Sequence, residues 1–503
     1  MLIQGKQITL NNLYAASHNT ETKFSVSEES LNKIKTSRNY IENRLSQGDT
    51  IYGVNTGFGA FANVKISDSE IELLQKNLIR SHSSGIGEPF TLTETRAMMI
   101  LRANTLATGY SGVRVEVIHK ILEYLNHNII PVIPSQGSVG ASGDLAPLSH
   151  LALALIGEGY CWGKYPEKIK TKDLLIEKNI QALELKAKEG LSLINGCQVM
   201  TAIGMLSAWE SQRLLELADL AGAMSLEALK GSRTAFDPLI SAVRPHPGEI
   251  RTAAHLTKIL GKNSEIGESH LQCSKVQDAY SLRCMPTVHG AVWDTLQFAI
   301  KILETEANAS TDNPLVFAQE NKILSCGNFH GMPVAFAMDY LGIAFSSLAS
   351  MSQCRISQMI HPAMSGLPAF LTPNGGLNSG HMIVQVAAAS LVSENKVLAH
   401  PASVDTIPTS ADKEDHVSMG TIAARKFRQI LNNAEHVIAM EFLSASQGID
   451  LLSPLKPSGD ILKAHQILRK HVPFATEDRI FSEDIEKIRN LIKSNAFNEI
   501  TQP

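Results

Sequence analysis

The sequence predicts a mainly α-helical protein, with a bundle of long helices as its core and a smaller mixed domain at the N-terminus. Three observations carry this. From about residue 198 the chain runs in long, mostly apolar stretches: 198–230, which lacks proline, then 285–308, 332–359, 381–398 and 416–443. Several are apolar around much of their circumference, which implies burial on more than one side. Aromatic residues make up only 6% of the chain, while Ala, Leu, Ile, Met and Ser are plentiful, a balance that suits helices more than a β-sandwich. The first 197 residues instead mix short apolar stretches with glycine- and proline-rich loops. A chain of 503 residues is long enough for more than one domain. The change of character sets the expected division: 1–197 for the mixed domain, 198–503 for the bundle and C-terminal helices.

The elements follow in order. The apolar stretch 7–10 is short enough for a strand, and 27–45 reads as a helix. Residues 52–59, Tyr-Gly-Val-Asn-Thr-Gly-Phe-Gly, form a glycine-rich loop. It has neither the Gly-Lys-Ser/Thr ending of a P-loop nor a Gly-x-Gly-x-x-Gly, so a nucleotide site is not indicated. Ser67-x-x-Glu70 and Thr91-x-x-Glu94 are capping-box patterns, predicting helices to about Ser81 and towards Gly109. Residues 113–125 continue helically, 131–143 are a loop, and 146–156 form the next helix. The Lys-rich stretch 163–188 reads as an exposed excursion.

Bulk properties exclude several function classes. The net charge is −4, from 45 basic and 49 acidic residues that are well mixed. No basic stripe argues for nucleic acid or an anionic membrane. The six cysteines include no Cys-x-x-Cys, so neither a disulfide framework nor a metal site is expected, and the compartment is read as cytoplasmic. The N-terminus lacks the pattern of a signal peptide. The best candidate for a membrane span, the uncharged stretch between Glu189 and Glu210, is interrupted by Asn195-Gly196 and Gln198. It reads as a buried turn entering a core helix, not a bilayer span.

The most informative segment is 137–149, Gly-Ser-Val-Gly-Ala-Ser-Gly-Asp-Leu-Ala-Pro-Leu-Ser. At its centre, Ala141-Ser142-Gly143 brings together residues whose backbone approaches itself closely. Gly143 has no Cβ, so its amide nitrogen can reach the Ala141 carbonyl carbon. Attack there closes a five-membered ring. Loss of two waters, one from closure and one from the Ser142 side chain, leaves an electron-poor ring: an electrophile made from backbone. A nucleophile elbow is a poorer reading, because Gly140-Ala141-Ser142-Gly143-Asp144 ends in Asp where Gly-x-Ser-x-Gly needs Gly.

Segment 137–149 resembles the active-site segment of the aromatic amino acid ammonia-lyases, which implies that such an electrophile serves to remove ammonia from an α-amino acid. The β-hydrogen is scarcely acidic, so a base must reach it, and a cation should hold the carboxylate. Tyr52 is a candidate base. Gln277, Tyr280 and Arg283 lie three apart and share a face if that segment is helical. Asn195-Gly196 is first of all a turn.

These segments, in matching order, resemble the aromatic amino acid ammonia-lyases, in which Ala-Ser-Gly cyclises to 4-methylideneimidazole-5-one. The resemblance takes in 52–59, 137–149, Asn195-Gly196, 277–283, Asp312-Asn-Pro314 and Gly327-Asn-Phe-His-Gly331, and covers about residue 50 to about 440. Two more segments, Ser81-His82-Ser83-Ser84-Gly85 and 410–419, resemble the histidine-specific branch. The phenylalanine- and tyrosine-specific relatives differ at both. Imidazole is both donor and acceptor, so a His and a Glu match its nitrogens, whereas a phenyl ring leaves them unpaired at roughly 1–3 kcal/mol per buried group.

The resemblance implies an enzyme that converts L-histidine to trans-urocanate and ammonia, the first step of histidine breakdown. It implies a homotetramer with sites built from several subunits, and no external cofactor or metal. Ala141, Ser142 and Gly143 would form the ring. Tyr52 would be the base, with Glu414 the alternative proton acceptor. Arg283 would bind the carboxylate, Asn195, Gln277 and Tyr280 would line the site, and Phe329 would pack against the ring. His82 and Glu414 would recognise imidazole. Another aromatic ammonia-lyase or aminomutase, or an inactive oligomeric homologue, are the alternatives. Cys284-Met285-Pro286 is a near-match to the Met-Pro loop of the fumarase and aspartase superfamily, but Thr287-Val288-His289 follow where Lys and Asn-Pro are needed.

Overall fold

The computed structural model describes residues 1–57, 61, 63–273 and 275–501. The protein is mainly α-helical, as its sequence predicts, and the described strands form only two-stranded pairs. It divides into two compact units. The first comprises Met1–Trp209, Ala299–Asp339 and Pro401–Arg425; the second comprises Glu210–Phe298, Tyr340–His400 and Lys426–Pro503. The division is thus discontinuous in sequence, where a single cut after residue 197 was expected. The long helices Gln198–Ala228, Met285–Ala307, Met332–Ile360 and Gly420–Asp450 each carry residues of both units.

In the first unit the central element is the helix Leu92–Ala107, buried from Glu94 to its end. Its capping box forms as predicted: the Thr91 side chain accepts from Glu94 N, and Glu94 returns the bond to the Thr91 backbone. Each bond satisfies an N–H that the first turn leaves without a partner. The helices Glu28–Ser46, Val115–Asn126 and Leu145–Leu155 also match their expected positions.

Three local expectations are corrected. Residues 7–10 are not a strand, because Thr9 caps a helix that starts at Leu10. Ser67 opens a 3-10 turn, Asp68–Glu70, before the helix Ile71–His82, and its hydroxyl caps no backbone N–H. The stretch 163–188 is not wholly exposed: Leu174, Leu175, Leu183 and Leu185 are core residues, and Lys188 is fully buried.

In the second unit the polar core is a chain of buried charges. Asp219 accepts from His255 Nδ1 at 2.7 Å, Arg251 Nη1 at 2.7 Å and His289 Nδ1 at 2.8 Å. Arg355 is paired with Glu441, which also takes the Ser225 hydroxyl at 2.7 Å. Buried charges are tolerable only when paired and hydrogen-bonded in this way. Among the described residues one helix, Met332–Ile360, is long and apolar enough to cross a membrane, and 61% of its most apolar window is buried within the protein.

Candidate active site

Ala141, Ser142 and Gly143 lie in a tight turn just before the helix Leu145–Leu155. Gly140, Ser142 and Gly143 have φ of +85°, +47° and +80°. For Ser142 that is a sparsely populated conformation, of the kind that concentrates at functional sites. A Cβ at Gly143 would lie 2.2 Å from the Gly196 carbonyl oxygen and 3.0 Å from that of Phe329. Only glycine fits there. Asp144 N donates to Gly196 O at 2.8 Å and Gly196 N to Ser142 O at 3.3 Å, locking the turn against 195–197.

Asp144 holds the turn from below. Its Oδ2 accepts Val199 N at 2.9 Å and Met200 N at 3.1 Å, at the start of the helix Gln198–Ala228, and its Oδ1 accepts the Thr421 hydroxyl at 2.6 Å. Burial pushes this carboxyl up to about 6, against the opposing pull of the bonds from Thr421, Met200 and Val199. Arg102, also fully buried, donates to the Asn195 carbonyl at 2.9 Å and to Gln198 Oε1 at 2.6 Å. Asn195 itself gives its amide to Asn313 O at 3.0 Å. Its Oδ1 is buried with no hydrogen-bond partner among the described residues.

Above the turn, the Ser142 hydroxyl donates to Glu414 Oε1 at 2.9 Å. The other carboxylate oxygen of Glu414 accepts the hydroxyls of Thr409, at 3.0 Å, and Ser410. Burial keeps the His82 ring below its ordinary value, against the opposing pull of its bond to the Leu78 carbonyl and, more weakly, of the Glu414 charge. His82 Nδ1 lies 2.9 Å from the Leu78 carbonyl, an acceptor only, so Nδ1 carries the proton and Nε2 is left as an acceptor. The Phe329 carbonyl, which abuts Gly143, takes the Cys197 thiol at 2.9 Å.

The first unit therefore brings together Ala141, Ser142, Gly143, Asn195, Phe329 and Glu414, with His82 within electrostatic range of Glu414. Tyr52 belongs to the same unit and lines a cleft of about 360 Å³ with Tyr40, Arg44, Asp49, Pro314 and Ser325. Phe58 and Gly59, the end of the glycine-rich motif, lie outside the described residues.

Gln277, Tyr280 and Arg283 belong to the second unit. They do not share one helix face, because only Tyr280–Arg283 is helical and Gln277 precedes it in irregular backbone. The Arg283 guanidinium lies 4.4 Å from the centre of the Tyr280 ring and donates to Asp278 O at 3.0 Å. The Ser281 carbonyl between them accepts Arg355 Nη1 at 3.1 Å.

Sequence reasoning missed Asp144, Arg102 and Lys188. Lys188 is buried against Asp312 at 3.1 Å and Ser192 at 2.9 Å. Asp144 had a signal, being next to Gly143; Lys188 had none, within a run of lysines.

The family model "Aromatic amino acid lyase" matches residues 8–470. A histidine ammonia-lyase of Myxococcus xanthus is 48% identical over 495 residues, covering 98% of this chain and 97% of that protein. The crystal structure of a histidine ammonia-lyase from Trypanosoma cruzi superposes with a TM-score of 0.92 at 42% identity, covering 100% of this chain and 95% of that one. A tyrosine aminomutase structure from Streptomyces globisporus gives 0.93 at 36% identity, covering 99% and 98%. With the family's model and relatives matched over nearly all its length, this chain belongs to the aromatic amino acid lyases and is a carbon–nitrogen lyase.

Proposed function

We propose that the chain eliminates ammonia from L-histidine to give trans-urocanate, the first step of histidine breakdown. The observation that carries this is the Ser142–Glu414 contact, 2.9 Å long, on a turn that admits no side chain at 143, with His82 close enough to feel the same carboxylate. Similarity to proteins that are themselves histidine ammonia-lyases supports the substrate.

The turn fits a ring made from Ala141, Ser142 and Gly143. Three positive φ values and the absence of a Cβ at 143 let the backbone fold back on itself. When formed, 4-methylideneimidazole-5-one supplies the electrophile that makes loss of an unactivated amine feasible. The remaining work falls to side chains. His82 Nε2 and the Glu414 carboxylate are both acceptors, so together they favour an imidazole with both nitrogens protonated. The unpartnered Asn195 Oδ1 is a ready acceptor for a substrate N–H. Phe329 packs at the ring through the backbone it places against Gly143. Tyr52 takes the β-proton, with Glu414 the alternative. Arg283 clamps the carboxylate in a bidentate fork, and Gln277 and Tyr280 orient the substrate.

We also propose a cytoplasmic homotetramer with sites built from several subunits. In the second unit Phe298, Tyr340, Ile343 and Val386 are each about half exposed and Ile383 more so, apolar surface of the kind that marks subunit contacts.

The test offers purified protein L-histidine, L-phenylalanine and L-tyrosine side by side and identifies the products. Trans-urocanate from histidine, with the other two poor substrates, is expected. A preference for phenylalanine, or a β-amino acid from tyrosine, contradicts the reading.

A further inference from the structure

We infer that Glu414 is the acid that completes the ring, delivering the proton with which the Ser142 hydroxyl leaves. The inference rests on the reading of Ala141, Ser142 and Gly143 as a ring precursor, and goes beyond any role of Glu414 towards substrate. Glu414 Oε1 lies 2.9 Å from Ser142 Oγ, an atom that the finished ring no longer contains. The contact is therefore a property of the uncyclised chain alone.

The carboxylate is built to hold that position. Its Oε2 is fixed by the hydroxyls of Thr409 and Ser410. The backbones of Thr409 and Glu414 pair in both directions, at 3.0 and 3.3 Å, which anchors the base of the side chain. Two other polar side chains at the turn, Asp144 and Ser138, are committed elsewhere. Asp144 uses its oxygens on Val199, Met200 and Thr421, and the Ser138 hydroxyl donates to Gly143 O at 3.2 Å.

The chemistry balances in two dehydrations. In the first, Gly143 N bonds to the Ala141 carbonyl carbon. The carbonyl oxygen leaves as water with the amide hydrogens of Gly143 and Ser142, and a C=N bond forms to Ser142 N. In the second, the Ser142 Cα–H pair becomes the Cα=Cβ bond and the Cβ–O bond breaks. Hydroxide is a poor leaving group unless protonated as it departs. Glu414, protonated, supplies that proton across the 2.9 Å contact, the Cα proton passes to solvent, and the carboxylate regains a proton from solvent. One water leaves and nothing is oxidised or reduced. A hydroxyl is both donor and acceptor, so the same contact serves with the proton on either oxygen.

The test follows the intact mass of freshly made full-length chains, with peptide mapping across 141–143. The wild type is expected to lose two waters. Glu414→Gln keeps the shape and a hydrogen bond but has no acid proton. It is expected to fold with unchanged circular dichroism and to retain the Ser142 hydroxyl, losing at most one water, with the second loss slowed about 10²-fold or more. A Glu414→Gln chain that reaches the two-water deficit at the wild-type rate overturns the inference. Should that variant not fold, Glu414→Ala with added acetate replaces it. Loss of the second water only with acetate is expected, and loss at the wild-type rate without it overturns the inference. A wild type that loses no water overturns instead the ring-precursor reading, a separately visible outcome.

Discussion

Ser142 combines a left-handed backbone, φ +47°, with a hydroxyl aimed at a carboxylate 272 residues further along the chain. Replacing it with Ala removes the leaving group that makes the ring unsaturated. We expect Ser142→Ala to abolish turnover while changing stability by no more than about 1.5 kcal/mol, the worth of one hydrogen bond. An activity assay beside a denaturant titration checks both; full activity contradicts the mechanism. At this scale the sequence was informative where chemistry is local. Ala141-Ser142-Gly143 and its flanks are contiguous, so the turn was readable. The partners of Asp144 lie 55, 56 and 277 positions away, a distance no local pattern spans. Lys188 reads as solvated among its lysine neighbours, yet the fold buries it on Asp312, 124 positions on.

Elements were legible wherever capping and periodicity agreed. The Thr91–Glu94 capping box placed the helix Leu92–Ala107, and the long helices begin and end within a few residues of expectation, except that Gly420–Asp450, expected at 416–443, starts four residues late and runs seven residues further. The cause is visible: Met419 has φ +55° and its N–H bonds to Val139 O at 2.9 Å, so the chain is held by the 137–144 loop before it can turn helical. The helix Leu92–Ala107 also shows what periodicity hides, since it buries Arg96 and Arg102 as completely as its leucines. Burial lowers Arg102 to about 10, which still leaves it charged at neutral pH. Arg102→Ala strips donors from two buried acceptors, Asn195 O and Gln198 Oε1. We expect roughly 3 kcal/mol of lost stability, read by urea unfolding, and a weakened grip on the 195–197 turn. An unfolding midpoint equal to wild type contradicts that account.

For the molecule as a whole, composition was enough to predict a mainly helical protein, but the units are not consecutive pieces of sequence. Long helices that change unit part-way carry no compositional mark at the change, so a boundary near 197 was the natural expectation. Exposed apolar residues have the opposite character: a helix apolar on most sides is readable, but which face stays uncovered is not. Ile343 and Val386 are 46% and 51% exposed in the isolated chain, and a carboxylate at either would be costly inside a subunit contact. Ile343→Glu with Val386→Glu should convert the proposed tetramer to smaller species by sedimentation velocity, with helix content retained; a wild type already monomeric contradicts the assembly. The central claim, that this protein makes an electrophile from its own backbone, is tested most directly by weighing the intact wild-type chain. The account predicts a mass two waters below that of the sequence, with the deficit confined to residues 141–143. A mass equal to that of the sequence contradicts it.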